Sequence, residues 1–243
     1  MKKLYILLVT VLFVSCLPIE TDLPSGISET ETINYYAFEP MEATTTGFIF
    51  YPGAGVEAKQ YNSWLETLAL EGYLTISTKM PFNLAVLDVN AALRIQNNFP
   101  DIDTWIIGGH SLGGAMSIDL VKRTQDNDKF DGLVLLAAYP GATSNISNWD
   151  GKVLSLSGSN DLVSTPEEIE EGKSRLPDGI TVSTIEDFTH VTGSIYYEIE
   201  GGNHAQFGNY GIQNGDGTAT ISPEAQQDII VQSITKFFQV NGW

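Results

Sequence analysis

The chain has 243 residues, of which 42% are hydrophobic and 17% are charged, and its formal net charge at pH 7 is −18. This length is enough to bury one sizeable core, and an α/β chain of this size usually forms a single domain. An acidic surface repels nucleic acid and anionic lipid headgroups, so no nucleic-acid partner is expected.

The N-terminal segment has the features of an export signal. Lys2 and Lys3 precede an apolar run at 4–14. This run is too short to span a bilayer, which needs about 20 apolar residues, and it fits a secretory signal. We therefore predict a signal peptide at residues 1–15.

The lone cysteine of the chain, Cys16, follows this run directly. The sequence FVSC at 13–16 resembles a bacterial lipobox, in which the cysteine is lipidated and becomes the new N-terminus. The resemblance implies an exported lipoprotein of the bacterial cell envelope, held at a membrane by its N-terminal lipid. An ordinary cleaved signal peptide and an uncleaved anchor are the two alternatives.

Residues 17–32 are rich in Pro, Ser, Thr and Glu and lack apolar periodicity. This composition is typical of a flexible linker, so we predict a lipidated cysteine and tether at 16–32, followed by one domain at 33–243.

From residue 33 onward, segments typical of strands alternate with amphipathic segments typical of helices. We predict strands at 33–38, 46–53, 74–80, 104–109, 132–139, 152–158 and 194–201, and helices at 57–73, 83–99, 112–125, 166–174 and 223–238. Apolar strands alternating with helices predict an α/β fold with a mostly parallel central sheet covered on both faces. Ligands bind such sheets beyond the carboxyl ends of the strands.

The segment WIIGGHSLGGAM, at 105–116, places one serine in a glycine-flanked turn between a predicted strand and a predicted helix. This context fits a nucleophile elbow, which projects the hydroxyl of Ser111 beyond the sheet edge. A plain strand-to-helix turn is the alternative, because G-x-S-x-G alone is a weak signal.

An activated serine needs a base, and the base needs an orienting acid. Of the three histidines, His204 follows the strand at 194–201, whereas His110 is expected to pack and His190 to lie in a surface loop. Asp161 follows the strand at 152–158. The order Ser111, Asp161, His204 is the order found in one of the three Ser-His-Asp architectures.

The fourth expected element is an oxyanion hole, a pair of backbone N–H groups that stabilises a developing negative charge. One donor is expected at Leu112, directly after the nucleophile, and the other in the sequence YPGAG at 51–55. Ala54 is the preferred second donor and Gly53 the next candidate.

The motifs GGHSLGGAM, SGSNDLVS and GGNHAQFGNYG, with YPGAG upstream, resemble the α/β-hydrolase superfamily over roughly residues 33–240. They look most like its small branch without a lid, similar to dienelactone hydrolases, although those enzymes use cysteine as the nucleophile and this chain has Ser111. The resemblance implies a serine esterase that forms an acyl-enzyme, acts on a small-molecule ester, and needs no metal or cofactor.

Two other functions remain open from the sequence. A hydrolase fold can be reused as an inactive surface lipoprotein for binding, and an acyltransferase uses the same acyl-enzyme. About a dozen residues separate the strands at 132–139 and 152–158, which is too few for a helical lid. The sequence NGDGTAT at 214–220 is expected to be a glycine-rich turn, because it lacks the full ligand series of a calcium loop.

Overall fold

A computed structural model of the protein describes residues 25–189 and 193–243. The predicted signal peptide, the predicted lipidation site at Cys16 and the predicted loop histidine His190 lie outside these residues.

One nine-stranded sheet forms the centre of the domain, in the order β1-β2-β4-β3-β5-β6-β7-β9-β8. Its strands are β1 (Ile27–Glu31), β2 (Tyr35–Pro40), β3 (Thr46–Tyr51), β4 (Leu74–Thr78), β5 (Thr104–His110), β6 (Gly132–Leu136), β7 (Lys152–Gly158), β8 (Gly179–Val182) and β9 (Ser194–Ile199). The pairs β1–β2 and β2–β4 are antiparallel, and the other pairs are parallel. The predicted α/β fold with a mostly parallel sheet is therefore confirmed.

Helices cover both faces of this sheet. They are α1 (Asn62–Leu70), α2 (Ala91–Gln96), α3 (Leu112–Thr124), α4 (Pro166–Gly172) and α5 (Pro223–Asn241). Apolar side chains of α2 and α3 join one core cluster, and those of α1 and α5 join a second cluster on the opposite face. The central strands β3 and β6 are buried along their whole length, as expected for a sheet covered on both sides.

Residues 27–31 lie in β1, so the predicted tether at 16–32 is wrong over this part. The strand pairs with β2, from Ile27 opposite Pro40 to Glu31 opposite Tyr36. Only Ile27 of the strand is buried. Because β1 is an edge strand whose polar side chains face solvent, its composition resembles that of a linker.

The helix predicted at 83–99 is also wrong over its first half. Two short 3-10 turns, Pro81–Asn83 and Ala85–Leu87, occupy this segment, and the α-helix spans only Ala91–Gln96. The sequence contains Asn83, Asp88 and Asn90, side chains that compete for backbone hydrogen bonds and disfavour helix interiors.

The strand β8 was not predicted, because its side chains are mostly exposed and it has only four residues.

Residues 137–151, between β6 and β7, contain no helix, so the expectation that a large lid is missing there is confirmed. No helix among residues 25–189 and 193–243 has the length and apolarity needed to cross a membrane.

Candidate active site

Ser111 lies in the turn between β5 and α3, at the carboxyl edge of the sheet. Its backbone has φ 53° and ψ −121°, a conformation that non-glycine residues seldom adopt. The Ser111 N–H donates to the Leu136 carbonyl of the neighbouring strand at 2.9 Å. A strained turn held between two parallel strands is the geometry that a nucleophile elbow requires.

The glycines of the elbow are needed because backbone approaches backbone. A Cβ at Gly109 would lie 2.4 Å from the Gly113 carbonyl carbon. A Cβ at Gly113 would lie 2.1 Å from the Tyr51 carbonyl oxygen at the end of β3. These contacts leave no space for a side chain, and they bring the first turn of α3 against the segment that follows β3.

Asp161 and His204 meet at the same edge of the sheet. Asp161 follows β7, His204 follows β9, and His204 Nδ1 lies 2.8 Å from Asp161 Oδ2, with both side chains almost completely buried. Asp161 Oδ1 also accepts the backbone N–H groups of Val163 and Ser164, at 2.8 and 2.7 Å. A carboxylate held by these bonds fixes a proton on Nδ1 and leaves Nε2 as the basic nitrogen of the ring.

The loop that carries His204 is held by a second carboxylate. Asp216 accepts the backbone N–H groups of His204 at 3.2 Å and Ala205 at 2.8 Å, one on each carboxylate oxygen. It thereby satisfies amides at the start of the short turn that follows His204. Asp216 belongs to the segment expected to be a glycine-rich turn, and its part in the site was missed.

The serine itself is not hydrogen-bonded to the histidine. Among residues 25–189 and 193–243, no hydrogen bond joins the Ser111 hydroxyl to His204. Instead, the ring of His110, the residue before Ser111, packs against the ring of His204, with the two ring centroids 4.4 Å apart. Hydrogen bonds between a catalytic nucleophile and its base are often long or poorly aligned without substrate.

His110 is buried, as expected for a packing residue, and it also joins a hydrogen-bonded chain. Its Nδ1 lies 2.9 Å from the hydroxyl of Tyr61, and this hydroxyl accepts the Gly53 N–H at 3.1 Å. Because the phenol accepts from Gly53, we assign its own proton to the bond with His110. Burial, and secondarily the nearby His204, hold the pKa of His110 well below its usual value, so the ring stays neutral.

The hydrogen bonds of residues 53–55 bear on the choice of the second oxyanion donor. The Gly53 N–H, the second candidate from the sequence, is already bonded to Tyr61. The Gly55 N–H donates to the Asn83 carbonyl at 2.9 Å. Between them, the Ala54 N–H has no backbone acceptor among the described residues, and Ala54 is exposed. Gly53 is therefore a poor candidate, and Ala54 stays the preferred one.

The Leu112 N–H is the other expected donor. Leu112 is the first residue of α3, so its N–H has no carbonyl partner within the helix. The positive end of the α3 dipole lies at this position and favours the binding of an anion there.

Comparison with known proteins identifies the family of this chain. A sequence model of the alpha/beta hydrolase family matches residues 47–196 and 192–228. The chain belongs to the alpha/beta hydrolase family. The match includes the serine elbow, Asp161 and His204, and it confirms the superfamily resemblance identified from the sequence motifs. A comparison with curated proteins gave no match.

The hydrolase site contains two groups that sequence analysis missed. Tyr61 falls within the helix predicted at 57–73, and Asp216 within the turn predicted at 214–220. Tyr61 carried no local signal of its own, because its partners lie in distant parts of the sequence. Asp216 lies 12 residues after His204 in an Asp-Gly turn, and nothing in that motif indicates which backbone amides its carboxylate accepts.

Proposed function

We propose that this alpha/beta hydrolase is a serine esterase that cleaves carboxylic esters through an acyl-enzyme, with Ser111 as nucleophile, His204 as base and Asp161 as orienting acid. The observation that carries the proposal is the buried contact of 2.8 Å between His204 and Asp161, at the sheet edge where the Ser111 turn also ends. These are the three groups that acyl transfer needs.

In the first step, His204 Nε2 takes the hydroxyl proton of Ser111 while the serine oxygen attacks the ester carbonyl carbon. The tetrahedral intermediate then collapses, the bond to the alcohol oxygen breaks, and the alcohol leaves with the proton from His204. Asp161 accepts the Nδ1–H throughout and stabilises the imidazolium that forms in between.

The N–H groups of Leu112 and Ala54 are the proposed oxyanion donors. Removing one such donor costs about 10²- to 10³-fold in kcat in serine hydrolases. In the second step, His204 removes a proton from water, the resulting hydroxide attacks the acyl-enzyme carbonyl, and the acid is released as Ser111 regains its proton.

The proposal includes an anchor outside the described residues. The lipobox-like sequence around Cys16 supports export and attachment to a membrane through an N-terminal lipid. Replacement of the cysteine, Cys16→Ser, is expected to release the protein from washed membranes in a fractionation experiment. Retention of the variant at the wild-type level would instead favour an uncleaved N-terminal anchor.

Hydrolysis of p-nitrophenyl acetate tests the reaction. Wild-type protein is expected to release nitrophenol with a rapid initial burst when deacylation limits turnover, and His204→Ala is expected to lose about 10³-fold or more in kcat. A control variant, Ser117→Ala, removes another buried serine of α3, whose hydroxyl donates to the Gly108 carbonyl. Equal rates for His204→Ala and wild type would contradict the proposal.

A further inference from the structure

The loop between β4 and α2, residues 79–90, exposes three large apolar side chains. The exposed fractions are 89% for Phe82, 52% for Val86 and 56% for Leu87. Single exposed hydrophobic residues are common on protein surfaces, but three in one loop are typical of a surface that binds a ligand or another molecule. The loop follows a parallel strand, so it lies at the same sheet edge as the Ser111 turn.

The backbone of this loop is strained at Phe82. Phe82 has φ 51° and ψ 25°, and Asn83 has φ 56°, so two consecutive non-glycine residues are left-handed. A bulky residue rarely adopts this conformation. Since the Phe82 ring is exposed, burial of the ring does not compensate the strain. Strain that packing does not explain concentrates at ligand-binding and active sites.

A hydrogen bond connects this strained segment to the oxyanion loop. The Asn83 carbonyl accepts the Gly55 N–H at 2.9 Å, and Gly55 directly follows Ala54, the preferred oxyanion donor. Phe82 directly precedes Asn83, so Phe82 lies next to the segment that would contact the ester carbonyl.

We propose that Phe82, supported by Val86 and Leu87, determines specificity by binding an uncharged, apolar group of the ester. The inference rests on the proposed function, because it places this group next to the reacting carbonyl. The substrate class is then an ester with several apolar carbons beside the carbonyl or on the alcohol. The net charge of −18 disfavours anionic esters.

Two ester series test the assignment. One series varies the acyl chain, from p-nitrophenyl acetate to p-nitrophenyl hexanoate, and the other varies the alcohol, from ethyl acetate to hexyl acetate. In Phe82→Ala, the preference for the longer ester, expressed as a ratio of kcat/KM values, is expected to fall about tenfold in at least one series.

Met41→Ala is the matched control. Met41 is 75% exposed and follows β2 at the opposite edge of the sheet, since β2 is antiparallel to β4. This variant is expected to keep both wild-type ratios. If Phe82→Ala also keeps both ratios within about twofold of wild type, Phe82 does not determine specificity and the inference is wrong.

A second variant separates binding from a structural role. Phe82→Gly removes the ring and relieves the left-handed strain, so its thermal midpoint is expected to equal or exceed that of wild type while the chain-length preference falls. A chain-length preference that stays at the wild-type value in Phe82→Gly would contradict the inference.

A binding experiment that needs no turnover distinguishes failure of this inference from failure of the proposed function. The Ser111→Ala variant is titrated with 2-octanone, an uncharged apolar carbonyl compound, and followed by NMR. Saturable shifts in residues 79–90 that weaken at least fivefold in Ser111→Ala/Phe82→Ala support the apolar site even if wild type hydrolyses no ester. Shifts that do not depend on Phe82 contradict it, even if wild type is an esterase.

Discussion

Tyr61→Phe should lower activity through the oxyanion loop while leaving the base intact. The hydroxyl of Tyr61 accepts the Gly53 N–H and donates to His110 Nδ1. Both partners are buried, so removing the hydroxyl leaves two unsatisfied polar groups, each costing about 1–3 kcal/mol. We expect unfolding in urea to show a loss of about 2–4 kcal/mol.

The effect on catalysis follows from the position of Gly53 next to Ala54. Complete removal of an oxyanion donor costs about 10²- to 10³-fold, so displacement of one is expected to lower kcat about 10- to 10²-fold, with KM changed little. The contact between His204 and Asp161 is not touched by this substitution, so the base and its orienting acid keep their geometry.

Tyr51→Phe is the matched control for Tyr61→Phe. The Tyr51 hydroxyl is equally buried and also bridges two groups, in this case both of the backbone: it accepts the Ala92 N–H and donates to the Val89 carbonyl, both at 2.8 Å. It should lose similar stability and keep kcat within about twofold. If Tyr61→Phe is no less active than Tyr51→Phe, the hydroxyl does not position the oxyanion loop.

Two further predictions concern His110 and Asp216. Burial lowers the pKa of His110, so below about pH 6.5 the unfolded chain binds a proton that the native ring does not, and stability falls as the pH falls. Between pH 7 and 5 this group is expected to contribute at most about 2 kcal/mol of the loss, the limit set by the unfolded histidine, as measured by urea unfolding. His110→Asn should lack this part, and an identical pH dependence would refute the assignment. Asp216→Ala frees the amides of His204 and Ala205 and is expected to lower kcat about tenfold or more, as measured by ester hydrolysis. Asp131→Ala, which frees one backbone amide at the opposite sheet edge, should leave kcat unchanged, and equal kcat values for the two variants would argue against a positioning role.

The parts of the fold that were predictable are those in which local pattern and tertiary structure agree. The apolar run at 104–109 forms a buried strand, and the Ser111 turn follows it with the glycines that close backbone approach requires. The last helix begins where Ser222 accepts the Ala225 N–H and Pro223 takes the first helical position. In both cases short-range chemistry determines the boundary.

The features that were missed depend on partners distant in the sequence. The role of Tyr61 rests on Gly53 and on His110, which lies 49 residues away. The strand β1 exists because its backbone pairs with β2, and its side chains carry no strand signal. At 83–90 short turns replace the first half of the predicted helix, and the Asn83 carbonyl accepts the N–H of the distant Gly55.

Labelling with a fluorophosphonate probe tests the central claim most directly, because the probe reacts with an activated serine and requires no knowledge of the natural ester. Folded wild-type protein is expected to be labelled at one site, identified as Ser111 by peptide mass spectrometry. Ser111→Ala and His204→Ala, with circular dichroism spectra like wild type, are expected to remain unlabelled. Folded wild-type protein that stays unlabelled, or equal labelling of Ser111→Ala, would contradict an activated serine at the β5–α3 turn.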